Sequence, residues 1–85
     1  MRVGQIVFSK CGRDKGKTFV IVSVLDEYVF LTDGDLRPLA TPKKKKAKHV
    51  QPTNHIVDLN IKDGRGLQDA DIRKFIKEFA NVKGL

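Results

Sequence analysis

The sequence predicts a small, mostly β fold, a barrel or strongly bent sheet, followed by one C-terminal amphipathic α-helix. Three observations carry this. Short β-branched and aromatic runs recur at close spacing through residues 3–39, joined by Gly-containing turns. Nothing between those runs has room for a crossover helix, so parallel βαβ units are excluded there. Only the segment near residues 69–80 places its apolar residues at helical spacing.

Val3, Ile6, Val7 and Phe8 mark a first short strand. Gly12 and Gly16 bracket a charged loop, Arg13-Asp14-Lys15. Lys17 to Leu25 holds Thr18, Phe19, Val20, Ile21, Val22 and Val24, a composition suited to a long strand. Asp26-Glu27 is a tight connection to a third strand, Tyr28 to Thr32, which makes the pair a hairpin. Asp33-Gly34 is a turn signal, because Gly accepts positive φ and Asp can bond its own backbone. Leu36 to Leu39 is expected as a further short strand, at an edge because of Pro38.

Residues 41–52 differ in character. Lys43, Lys44, Lys45, Lys46 and Lys48, with His49, lie between Pro42 and Pro52. Like charges at that density repel and resist packing, so the segment is expected as an exposed loop or arm. His55 to Leu59 is expected as one more strand, and residues 62–66 as a loop. Ile72, Phe75, Ile76, Phe79 and Ala80 then fall on one helical stripe. Asp69 and Asp71 suit the positive end of the helix dipole. Gln68 is a candidate cap with Leu67 stapled onto Ile72, and Lys83-Gly84 suits the far end. Two units result: residues 1–60, a barrel carrying a lysine arm at 43–49, and residues 61–85, a loop and a helix over about 69–80. The helix is open to capping the barrel, standing apart or meeting a protein.

The chain of 85 residues carries a formal net charge of +7. Residues 1–50 hold 11 Lys/Arg against 5 Asp/Glu, and residues 51–85 hold 6 against 5, so the first half attracts polyanions. The single cysteine, Cys11, allows no intrachain disulfide, and a reducing, cytoplasmic setting fits. Neither a signal-peptide stretch nor a bilayer-length apolar run is present: the longest such run, Phe19 to Val22, is far too short to span a membrane.

Chemistry beyond charge finds little support. Cys11 has basic neighbours but no base nearby in sequence, and a small loop residue is its ordinary reading. His49 and His55 lack zinc-ligand spacing, so no metal, cofactor or small-molecule substrate is expected, and no enzymatic activity. His49 fits an extra polyanion contact and His55 a sheet residue. Asp33 and Asp35 fit turn formation better than cation binding. Lys10, Arg13, Lys15 and Lys17 are a different matter. They crowd one Gly-flanked loop, where cations and bent backbone can hold phosphates. The spacing is not that of a nucleotide-binding Walker loop, so the ligand inferred is a polyanion backbone, weighed evenly against a merely solvated loop. The lysine run, following Arg37, could wrap the same ligand. Together, neutralising about 6–10 phosphates, the two elements would lose roughly 10³–10⁵ in affinity between 50 and 200 mM salt. Among the aromatics, Phe75 and Phe79 belong to the helix stripe. Tyr28 is a candidate for stacking on a base, against a more ordinary place at the barrel rim.

The run Val7-Phe8-Ser9-Lys10-Cys11-Gly12-Arg13-Asp14-Lys15-Gly16-Lys17-Thr18-Phe19-Val20-Ile21 resembles a KOW motif: a strand, a basic glycine loop and a second strand. Asp33-Gly34-Asp35-Leu36-Arg37-Pro38-Leu39, Pro42-Lys43-Lys44-Lys45 and Lys48-His49 extend the match over about residues 2–51. The chain thus resembles small bacterial KOW-domain RNA-binding proteins, themselves similar to KOW-type large-subunit ribosomal proteins of archaea and eukaryotes. That resemblance implies an SH3-like five-stranded barrel that binds structured RNA, above all ribosomal RNA, beside ribosomal proteins. It assigns RNA contacts to Lys10, Arg13, Lys15, Lys17 and Arg37 and then to Lys43, Lys44, Lys45, Lys46, Lys48 and His49, with Gly16 as the motif's key glycine. The alternative is a protein-interaction module of a transcription or translation complex, using the barrel and the C-terminal helix on acidic partners.

Overall fold

Phe19, Val20 and Ile21 follow one another in a strand and all are buried. A strand alternates its side chains between two faces, so an unbroken apolar run needs cover on both. The computed structural model, which describes residues 1–60 and 64–84, shows what supplies that cover. The strands are β1 (Gln5–Ser9), β2 (Thr18–Leu25), β3 (Tyr28–Thr32), β4 (Lys43–Lys46) and β5 (Val50–Ile56), and the helix is α1 (Asp69–Lys83). The sheet is antiparallel throughout, in the order β4-β3-β2-β1-β5.

The two edge strands, β4 and β5, are consecutive in the chain, joined only by a 3₁₀ turn at Ala47–His49. Five flat strands would set their edges about 19 Å apart, at roughly 4.8 Å per strand spacing. Three residues of 3₁₀ helix rise only about 6 Å. The sheet must therefore curl until its edges approach, giving a barrel-like shell. Its inner face holds Val7, Phe19, Ile21, Val29, Leu31 and Val50. On the opposite face, Ile6 and Val20 pack with Ile72 and Phe79 of α1, and Phe8, Leu39, Val57, Leu59, Leu67, Phe75 and Ile76 surround them. Burying an aromatic or aliphatic side chain of this size contributes about 1.5–3 kcal/mol. Of the roles left open for the helix, covering this outer face is the one observed.

The helix starts as its residues suggest. Asp71 accepts the Gln68 backbone N–H at 2.9 Å, and Leu67 joins the cluster that holds Ile72. The chain leaves at Gly84, whose φ of 71° is left-handed. The Asp26-Glu27 turn closes the β2–β3 hairpin.

Three expectations fail. Leu36 to Leu39 is not a strand. Asp33 Oδ1 accepts the N–H groups of Asp35 and Arg37, each at 2.9 Å, and Thr32 Oγ1 donates to the Arg37 carbonyl, so the segment coils on itself. The strand expected at His55 to Leu59 is displaced: β5 begins at Val50, ends at Ile56 and accommodates Pro52, whose missing N–H is harmless on an edge strand. The lysine run is no free arm. Lys43 to Lys46 pair with Leu31 to Tyr28 as β4, and Ala47 to His49 form the 3₁₀ turn. The loop expected at 62–66 lies partly outside the described residues.

Candidate nucleic-acid interface

Pairing β4 against β3 sorts its lysines by face, since directly paired residues share one. Lys43 and Lys45 oppose Leu31 and Val29, both inner-face residues. Lys44 and Lys46 oppose Phe30 and Tyr28 on the outer face. The two pairs have different surroundings and different work.

Lys45 is 9% exposed. A buried ammonium requires acceptors, and the loop after β1 provides them. Lys45 Nζ donates to Ser9 Oγ and, at 2.7 Å, to the Cys11 carbonyl. Ser9 Oγ in turn donates to that carbonyl at 3.0 Å. Lys43 Nζ donates to Asp14 Oδ2 at 2.6 Å. Both inward lysines thus tie β4 to the basic loop.

Asp14 is the centre of that loop. Its side chain is 8% exposed, and Arg37 at 3.8 Å and Lys17 at 4.0 Å join Lys43 around it. The Lys43 hydrogen bond holds the carboxyl below its ordinary range. Burial opposes this, and the charges of Lys43, Arg37 and Lys17 assist it. One carboxylate therefore gathers three cations from three separated segments, and the cluster keeps an excess of positive charge. Turn geometry fixes the loop: Lys17 N–H donates to the Asp14 carbonyl at 2.9 Å and Gly16 N–H to the Ser9 carbonyl at 2.9 Å. Gly16 has φ of 85°, which L side chains rarely adopt, and open space where a Cβ would stand.

Of the residues singled out in the sequence, Lys10, Arg13 and Lys15 project from this loop exposed, with Gly16. Lys17 and Arg37 are partly exposed and engaged with Asp14. Lys44, Lys46 and Lys48 are exposed, and His49 is half-buried in the turn, where its carbonyl accepts Lys10 N–H at 2.9 Å. Lys43 and Lys45 depart from expectation, since Lys43 is bonded to Asp14 and the ammonium of Lys45 is satisfied inside the protein. Sequence reasoning missed Asp14 and Ser9, because a single acid or hydroxyl in a basic loop gives no sign of facing inward.

The neighbouring 33–37 coil is locked to the helix. Asp69 Oδ1 accepts Leu39 N–H at 2.7 Å, and Arg73 donates to the Gly34 carbonyl. Gly34 permits this contact: its φ is 75°, and a Cβ there would lie 2.4 Å from the Asp69 carbonyl oxygen. Among the described residues, no His, Cys, Asp and Glu side chains gather in groups able to hold a metal ion, and no helix is long and apolar enough to cross a membrane.

No family model matches the chain. Curated proteins do. It is 32% identical over 80 residues to large ribosomal subunit protein eL14 of Desulfurococcus amylolyticus, covering 92% of this chain and 78% of that one. The eL14 protein of Staphylothermus marinus is 28% identical over 90 residues, covering 98% of this chain and 93% of its own length. That of Methanococcus maripaludis is 37% identical over 59 residues, 69% of this chain and 71% of the relative. These relatives are archaeal, and the first two alignments run well past residue 51 into the helical part.

Proposed function

The chain belongs to the eL14 family of large ribosomal subunit proteins, and we propose from this that it is a non-enzymatic, cytoplasmic component of the large ribosomal subunit that binds ribosomal RNA and adjoins other ribosomal proteins. The barrel over residues 1–60 is read as SH3-like and of the KOW type, with residues 61–85 as its helical appendage. Docking is electrostatic, onto RNA phosphates, with shape recognition and little reading of bases.

The carrying observation is the bracing of two basic elements against each other. Asp14 and Ser9 bind Lys43 and Lys45 of β4 to the 10–17 loop, so the exposed cations on either side keep a fixed relation. A preformed array loses less entropy on binding than a flexible arm. Lys10, Arg13, Lys15, Lys44, Lys46 and Lys48 are the principal phosphate contacts in this reading, with Lys17, Arg37, Lys43 and His49 at their margin. Gly16 shapes the loop, and Lys45 supports it from within.

The test is sedimentation and crosslinking. A tagged chain expressed in its own cells should sediment with large subunits, and ultraviolet crosslinks to ribosomal RNA should map to peptides holding residues 10–17 and 43–48. Sedimentation with large subunits through protein crosslinks alone would favour the protein-interaction module instead.

A further inference from the structure

The outer face of the sheet is unevenly covered. Helix α1 packs over Ile6 and Val20. Farther along the hairpin, Phe30 and Tyr28 stand on the outer face outside that cover, both half-buried, with the paired Leu25 57% exposed. Two residues apart on one strand, the aromatic residues are spaced by about 6.7 Å. Lys44 and Lys46 lie directly opposite them on β4. Lys44 Nζ sits over the Tyr28 ring, 4.3 Å from its centroid. Because Lys44 is itself exposed, the Tyr28 face beneath it is covered by a side chain that can swing away. The surface thus joins two aromatic rings to a lysine border continuous with the phosphate-binding array.

We infer that Tyr28 and Phe30 form a stacking platform for unpaired RNA bases, bordered by Lys44 and Lys46, which take the adjoining phosphates. The inference rests on the RNA-binding reading above and adds a preference to it: RNA with extruded bases over a plain duplex. A π-face and a flanking cation are the two features that single-stranded nucleic acid requires, one for the base and one for the backbone. On binding, a base takes the place of the Lys44 ammonium over Tyr28, and the released cation turns to a phosphate. An acidic peptide would use the lysines, but its carboxylates would not be held by the ring faces.

The chain offers its own probe, because Tyr28 is the single tyrosine and there is no tryptophan. Tyrosine emission therefore reports on this site alone. Two RNA hairpins serve as ligands, identical except that one carries a bulge of unpaired adenines. The bulged hairpin should bind more tightly and quench the emission. Phe30→Leu, and Tyr28→Leu with Phe30→Leu, keep apolar volume and remove π-faces. They should weaken bulged-hairpin binding by about 5- to 150-fold per lost stack while leaving the paired hairpin unchanged, which also shows that the variants fold. Equal affinity for both hairpins with unquenched tyrosine, or an equal loss on both in the variants, overturns the platform and leaves phosphate docking intact. Failure of both hairpins to bind at low salt overturns the docking reading and the platform with it.

Discussion

Replacing Asp14 with Asn removes one charge and leaves three cations around a neutral amide. The largest loss is the 2.6 Å bond from Lys43, a charge-assisted contact of about 1.5–3 kcal/mol. Arg37 and Lys17, at 3.8 and 4.0 Å and 41% and 47% exposed, are screened by water and add roughly 0–1 kcal/mol each. Partial exposure of Lys43, at 28%, lets water soften its loss, so the expected destabilisation is about 2–3 kcal/mol. For a domain of this size that lowers Tm by roughly 8–24 °C. The pH dependence supplies a second check. The folded carboxyl titrates below its ordinary value, so the unfolded chain binds its proton first as pH falls. Stability from Asp14 is therefore complete above about pH 4, the ordinary carboxyl range, and is lost as pH drops through the lower folded value. Urea unfolding of both proteins at pH 7 and at successive acid steps measures this. The difference should be largest at neutral pH and shrink in acid. A neutral-pH difference below about 0.5 kcal/mol, or one unchanged in acid, would refute Asp14 as the organising charge.

Other consequences follow from individual contacts. Gly34→Ala meets both a left-handed backbone and the Asp69 carbonyl 2.4 Å away, and should cost about 2 kcal/mol or more, whereas Gly16→Ala, with open space around it, should cost only the backbone strain of about 1–2 kcal/mol. Equal losses in urea unfolding would contradict that contrast. Phe79→Ala empties the helix–sheet interface beside Phe8 and His55 and should cost about 3–5 kcal/mol, a large share of the roughly 5–15 kcal/mol typical of a domain. Far-ultraviolet circular dichroism and urea titration would show the loss. Lys45→Met removes a buried ammonium whose acceptors, Ser9 Oγ and the Cys11 carbonyl, still bond each other. Its stability should stay within about 1 kcal/mol of wild type, because a hydrophobe of like volume escapes the cost of burying charge.

Strands β1 to β3, the hairpin turn and α1 with its Gln68 cap were legible because local pattern and tertiary structure agree. Lys43 to Lys46 was not, for an identifiable reason. Repulsion among lysines argues against packing only while each must keep its own water. Here period-2 alternation turns Lys43 and Lys45 toward Asp14 and Ser9, acceptors about 30 residues earlier in the chain, whose inward orientation no local pattern reveals. Leu36 to Leu39 failed differently. Its apolar ends suggested a strand, but Asp33 captures two backbone N–H groups and turns the chain before a ladder can form. Within the candidate site, the exposed cations of the 10–17 loop could be read from composition. The division of the lysine run into supporting and projecting members depends on sheet register, which appears only once β4 is paired.

That division is tested most directly by the salt dependence of binding to a large-subunit ribosomal RNA fragment. Wild type should bind with a steep log–log salt slope. Lys44→Gln, Lys46→Gln and Lys48→Gln together should lower the slope by about 2–3, at roughly 0.7–0.9 per phosphate contact, while Lys45→Met leaves it unchanged. A slope unaffected by the triple substitution, or lowered as much by Lys45→Met alone, would contradict the account of a braced cationic array along β4 and the turn that follows it.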